Sequence, residues 1–163
     1  MFNPFMAMAL NQAQFALDNG EVPVGAVIVK DGIVITSTYN MREMNQNAIA
    51  HAEILAINKA CVALKSWRLD ECDIYVTLEP CIMCAGAIIN ARVNSVYFGA
   101  YEKNNGAFGG ILDCTKLTSI HKPTVYGGIM EDNCNEMLRL FFNKIRHDVK
   151  ESKDCQPINR YES

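Results

Sequence analysis

The chain has 163 residues, one domain's worth by the prior of about 150 residues per domain, which excludes a second catalytic domain. Half of the residues are apolar and a fifth are charged, near the averages for soluble globular proteins, so disordered, collagen-like and coiled-coil architectures fail on composition. The formal charge of −3 weighs against nucleic acid as a partner, because lysine and arginine supply phosphate binding.

Asn3-Pro4 sets a capping side chain and a preset φ ahead of Met6, Leu10, Ala13 and Leu17. These recur at helical spacing up to Asp18-Asn19-Gly20 and predict a first amphipathic helix. Residues 22–30 and 33–39, rich in valine and isoleucine, flank Asp31-Gly32, whose tolerance of positive φ predicts an antiparallel hairpin. Ile49, Ile54, Leu55, Ile57, Cys61 and Leu64 predict a helix over 48–65, followed by a strand over 73–78 that ends at Glu79-Pro80. A third helix is expected from Cys81 to near Arg92, a strand from Val93 to Phe98, and a loop rich in glycine and asparagine from Tyr101 to Gly110. Residues 111–130 are ambiguous, with Val125-Tyr126 as a candidate fifth strand and Gly127-Gly128 turning into a last helix over 131–150. Strands alternating with helices predict a three-layer α/β/α domain over 1–150 around a mixed five-stranded sheet, its strands after residue 73 parallel. Residues 151–163 are expected to be a polar, frayed tail.

The seven cysteines are odd in number and unevenly spaced, and the first basic side chain is Lys30, so neither a signal peptide nor a transit peptide is expected. No apolar run approaches the roughly 18 residues of a membrane span. The expectation is a cytoplasmic protein with reduced thiols and no membrane partner. Between Arg139 and Lys153, five basic residues face two acidic ones, which suits a solvated helix face and a phosphate-binding surface equally.

The informative pairing is His51-Ala52-Glu53 with Pro80-Cys81-Ile82-Met83-Cys84, the first cysteine standing 28 residues beyond Glu53. One imidazole and two thiolates are the donor set of a three-ligand zinc with an open fourth position. Residues two apart in mid-helix point about 200° away from each other, so His51 and Glu53 converge only in the first turn of a helix. Pro80 likewise sets Cys81 at a helix start, and the spacing of three puts both sulfurs on one face. Two helix N-termini would then meet at the metal and favour thiolate over thiol. Zinc brings the pKa of water from about 15.7 towards about 7, and Glu53, not itself a ligand, would take the proton and pass it to a ring nitrogen and a departing amine. H-x-E with P-C-x-x-C is the signature of zinc deaminases. The alternatives are a four-cysteine structural zinc recruiting Cys61 and Cys72, a thioredoxin-like redox pair, and a non-catalytic zinc-binding module. His121 and His147 also suit surface or packing roles, and Cys114, Cys134 and Cys155 read as ordinary thiols.

Beyond that motif, Glu21-Val22-Pro23-Val24-Gly25-Ala26, Asn40, Ala50-His51-Ala52-Glu53-Ile54, Val76 to Ala87 and Phe98-Gly99-Ala100 closely resemble bacterial tRNA-specific adenosine deaminases, over about residues 5–147. The resemblance implies a cytidine deaminase-like fold, a homodimer, one zinc per subunit, and conversion of adenosine to inosine at the wobble position of a tRNA anticodon stem-loop. It implies that Asn40 hydrogen-bonds the adenine, that the backbone at Ala52 completes recognition, and that Val24, Val27 and Leu78 are apolar walls. A free-base or nucleoside deaminase acting on guanine or cytosine is the alternative within the same superfamily. Glu79 suits a hydrogen bond to nearby backbone better than chemistry. Where the family often carries an aspartate after the Phe-Gly-Ala strand, this chain has Glu102, and Gly110 replaces a frequent serine. Candidate RNA contacts are Glu102, Lys103, His121, Lys122, Arg139, Phe142, Lys144 and Arg146, and apolar Ala85 to Ile89 is a candidate interface stripe.

Overall fold

The structure, a computed structural model, describes residues 2–118 and 121–154. Helix α1 (Pro4–Asp18) starts as the sequence predicts: Asn3 Oδ1 accepts from the backbone N–H groups of Phe5 at 3.0 Å and Met6 at 2.9 Å. Its buried stripe is Met6, Ala9, Ala13 and Ala16, small enough for the helix to lie close on the sheet. So close is the approach that a Cβ on Gly25 would overlap the carbonyl oxygen of Ala9. Strand β1 (Gly25–Lys30) begins at that glycine, three residues later than the valine pattern suggests. It turns through Asp31 and Gly32, at φ of 51° and 74°, into β2 (Ile33–Tyr39). Two successive positive φ angles match the twist of an antiparallel hairpin.

Strand β3 (Cys72–Leu78) pairs antiparallel with β1 and parallel with β4 (Ser95–Ala100), and β5 (Thr124–Tyr126) continues parallel beyond β4. The order β2-β1-β3-β4-β5 is the expected mixed five-stranded sheet. Helices α2 (Ala52–Leu64) and α3 (Ile82–Asn90) cover one face, where Ala56, Ala60, Ala85 and Ile88 pack on Ile28, Ile74, Val76 and Phe98. On the other face α1 and α4 (Glu131–Asp154) enclose Val27, Val29, Tyr75 and Cys134. Each fully buried valine, isoleucine or phenylalanine contributes roughly 1.5–3 kcal/mol. The stripe from Ala85 to Ile89, a candidate interface, is largely core: Ala85 and Ile88 are wholly buried.

Element boundaries differ from expectation where backbone is needed for something else. Helix α2 starts at Ala52, not 48, because residues 41–50 form turns and His51 is extended at φ −69°, ψ 151°. Strand β4 starts at Ser95, not Val93, because the N–H of Val93 closes the end of α3 on Ile88 at 3.2 Å and that of Asn94 reaches Cys72 at 2.8 Å. The ambiguous stretch holds a short 3-10 turn over Cys114–Lys116, capped by Asp113, and β5. Helix α4 continues past 150 to Asp154, while the rest of the expected tail, with Cys155, lies outside the described residues. Among the described residues no helix is long and apolar enough to cross a membrane.

This topology gathers four connections at one end of the sheet. Strands β2, β3 and β4 finish there and β1 begins there, as the pairings Gly25 with Tyr39, Ala26 with Val76 and Leu78 with Ala100 show. Carboxyl ends of parallel strands are where open α/β sheets place ligand crevices.

Candidate active site

His51 and Cys81 occupy the N-cap positions of α2 and α3, and Cys84 lies in the first turn of α3. The two helix starts bring His51 Nδ1 to 3.8 Å from Cys81 Sγ and 3.5 Å from Cys84 Sγ, and all three donor atoms lie within 4.8 Å of one another. Cys84 is buried and the other two are half-buried. The Cys81 thiol is lowered to about 3, chiefly because Cys84 donates its S–H to it, with burial opposing and His51 reinforcing the effect. Cys84, the donor, is pushed up by that hydrogen bond and by burial. The hydrogen bond with Cys81 raises the His51 imidazole. A thiolate beside a second thiol and an imidazole is a group that a divalent cation neutralises, displacing the remaining protons.

Glu53 follows one residue into α2 and is 4% exposed. Burial raises its carboxyl above the ordinary carboxylate range, and its own backbone N–H and the His51 charge offset this in part. It does not belong to the three-residue ligand cluster, and among the described residues no fourth histidine, cysteine, aspartate or glutamate joins that cluster. Cys61 sits against the core and Cys72 is buried at the start of β3, which removes the four-cysteine alternative. Above the cluster opens a cavity of about 630 Å³, lined by His51, Ala52, Glu53, Cys81, Val24, Leu78 and Asn40. Thr38 ties floor to sheet by donating its hydroxyl to the carbonyl of Ala52 at 2.8 Å.

The walls are held by two further buried carboxylates. Glu79 Oε1 accepts from the N–H groups of Phe108 and Gly110, both at 2.9 Å, and Oε2 accepts from that of Glu102 at 3.1 Å. Its role is to fasten the loop over 101–112 by backbone hydrogen bonds, as the sequence suggests. Glu21 accepts from the Asn40 amide at 3.0 Å and from the N–H of Met44 at 2.8 Å.

Several candidate residues are placed elsewhere. Val27 belongs to the opposite face of the sheet with Met6 and Ala9, because strand alternation turns it away from Val24, and it lines no part of the cavity. His121 Nε2 donates to the carbonyl oxygen of Val93, 2.6 Å away, and with Lys122 it precedes β5 at the far end of the sheet. A strand of six residues, at about 3.3 Å each, separates that end from the cavity. Arg139, Phe142, Lys144 and Arg146 are exposed on α4; Arg139 pairs with Glu136 and Arg146 reaches Asn143, and none of them lines the cavity. Glu102 does line it, and Lys103 is exposed in the same turn. The cavity also takes in Arg42, Ile82, Asn104, Ile111 and Leu112, which the sequence did not single out. Ile82 lies inside the cysteine motif at the start of α3, and the signal for the other four was their place in loops flanking the motifs.

The family model of the MafB19-like deaminases matches residues 3–157. The chain is 42% identical over 150 residues to a tRNA-specific adenosine deaminase of Bacillus subtilis (strain 168), covering 91% of this chain and 93% of that one. A tRNA-specific adenosine deaminase of Agrobacterium fabrum (strain C58) is 47% identical over 146 residues, covering 88% and 95%. A solved structure from work on A-to-I editing by tRNA:A34 deaminases at the wobble position of transfer RNA superposes with a TM-score of 0.79 at 44% identity, covering 82% of this chain and 98% of that one. With its ligand cluster at two helix starts and its match along nearly the whole length, the chain belongs to the MafB19-like deaminases and groups there with the tRNA-specific adenosine deaminases.

Proposed function

We propose that the chain catalyses hydrolytic deamination of adenosine to inosine at the wobble position of a tRNA anticodon, with His51, Cys81 and Cys84 holding one zinc per subunit. The observation that carries this is the convergence of the three donors beneath one cavity, with His51, Cys81 and Glu53 in its lining, in a chain 42% identical over 91% of its length to a tRNA-specific adenosine deaminase. The donors fit zinc. Tetrahedral bonds of about 2.0 Å to nitrogen and 2.3 Å to sulfur put nitrogen and sulfur about 3.5 Å apart, and His51 Nδ1 lies 3.5 Å from Cys84 Sγ and 3.8 Å from Cys81 Sγ.

When bound, zinc acidifies water from a pKa of about 15.7 towards about 7. Glu53 accepts the water proton on a carboxylate oxygen and delivers it to N1 of the adenine as C6 is attacked, then takes the proton of the new C6 hydroxyl and passes it to the C6 amino group, which leaves as ammonia. Burial raises its carboxyl and so favours the proton-bearing form between those transfers. Asn40 hydrogen-bonds the base, and Val24 and Leu78 flank it as apolar walls, with the backbone of Ala52 beneath. Glu102 and Lys103 on the 101–112 loop stand where RNA flanking the base would pass. The cytoplasm is the compartment that supplies such a substrate. A homodimer is part of the same proposal, and the exposed Ile82, Ile111 and Leu112 at the cavity lip support it.

The test is inosine sequencing of an anticodon stem-loop bearing a wobble adenosine after incubation with zinc-loaded protein. Conversion of that adenosine is expected. An unchanged stem-loop together with deamination of free guanine, cytosine or nucleosides would replace this proposal with the free-base alternative.

A further inference from the structure

Glu21 is 1% exposed and Asn40 4%. The Glu21 carboxylate has no ion pair among the described residues; its partners are the neutral N–H groups of Asn40 and Met44. A charge buried against neutral donors costs stability relative to an apolar side chain. What Glu21 orients accounts for its presence better than what it stabilises.

The orientation follows from donor and acceptor chemistry. An ionised carboxylate only accepts, so the Asn40 amide must turn its NH2 towards Glu21. No hydrogen bond to Asn40 Oδ1 is present among the described residues, and among them no fully buried side-chain oxygen or nitrogen lacks a partner. Oδ1 therefore opens on the cavity whose wall Asn40 forms. An asparagine amide is nearly symmetric in shape, and unrestrained it can present either end. Glu21 itself does not line the cavity, and the end of α1 anchors it through its N–H on the carbonyl of Ala16 at 2.9 Å.

We infer that Glu21 is a positioning residue for the deamination: it fixes the polarity of the Asn40 amide, so that an acceptor oxygen and one remaining N–H meet the base. The N–H of Met44 on its other oxygen holds the Glu21 carboxylate itself in place. The inference rests on the adenosine function proposed above and names a residue that acts on specificity without touching substrate.

Glu21→Gln keeps the shape but replaces one acceptor by a donor, so the new amide cannot accept from both partners. Glu21→Asp keeps both acceptors on a shorter stem. The experiment measures kcat and KM on a wobble-adenosine stem-loop, and equilibrium binding of the inosine-bearing product, for the parent chain, both Glu21 variants, Asn40→Ala and the corresponding double variants. Thermal melting and zinc content are read alongside. Glu21→Gln is expected to lower kcat/KM about tenfold to a hundredfold and to weaken product binding at unchanged zinc content, with Glu21→Asp losing less. Neither substitution is expected to have a further effect once Asn40 is alanine. A side chain that merely fills space would rank glutamine above aspartate and would give equal losses with and without Asn40; either result overturns the inference. If Glu21→Gln does not fold, Glu21→Asp with and without Asn40 decides the matter in the same way. Asn40→Ala at parental activity would overturn the role of Asn40 and this inference together, whereas impaired Asn40→Ala beside silent Glu21 variants overturns the inference alone.

Discussion

The floor of the cavity and its walls both carry buried carboxylates, and they are held differently. Glu79 in the wall accepts three backbone N–H groups, and Glu21 behind it accepts one backbone and one amide N–H, so both carboxylates hold chain. On the floor, Glu53 has its own backbone N–H and the Cys84 thiol for company, and burial raises its carboxyl. Carboxylates that accept N–H groups from distant segments of chain are structural ties. One held only by its own backbone N–H and a neighbouring thiol, beside a cluster of soft ligands, is placed to exchange a proton.

Substitutions at the two levels separate these roles. Cys81→Ala or Cys84→Ala, which removes a ligand, is expected to abolish zinc binding and activity and to lower the melting temperature, as read by metal analysis and calorimetry. Zinc retained at the parental level would mean that the floor is not the metal site. Glu53→Gln should keep zinc and lose about 10²-fold or more in kcat, the usual scale for an acid-base group. Loss of metal from that variant would make Glu53 a ligand and erase the contrast with the walls. Glu79→Gln should do the reverse: zinc is retained, stability falls by about 1–3 kcal/mol in urea unfolding, and the amides of Glu102, Phe108 and Gly110 exchange faster. Unchanged exchange at those three amides would break the comparison from the other side. The smallest effect is expected for Thr38→Val at the joint between floor and sheet, about 1 kcal/mol, with activity falling only as far as Ala52 shifts.

The floor was legible in the sequence because each of its parts has a local cause. Pro80 and the three-residue step from Cys81 to Cys84 fix two sulfurs on one helix end, and His51 can meet them together with Glu53 only at a helix start, which is where the structure has it. Asn3-Pro4 and Asp31-Gly32 were legible for the same reason, since a cap and a turn depend on neighbours in sequence. The walls were not. Arg42, Ile111 and Leu112 come from loops without periodicity, whose course is set by the distant carboxylates of Glu21 and Glu79. Val27 was misplaced because it stands an odd number of residues from Val24, and on an extended strand that turns it to the opposite layer, against α1. His121 fell at the wrong pole because nothing in residues 111–130 announces how short β5 is.

His51 and Cys81 each sit where a serine or aspartate would ordinarily close off the start of a helix, and neither side chain makes a capping hydrogen bond. Both side chains are thereby left for the proposed metal, which would tie the two opening turns to each other through His51, Cys81 and Cys84. Chelation should register first as fraying at Ala52–Leu55 and Ile82–Ala85, with the sheet beneath still intact. The protein's ability to hold its metal and the order of its catalytic helices then rise and fall as one quantity.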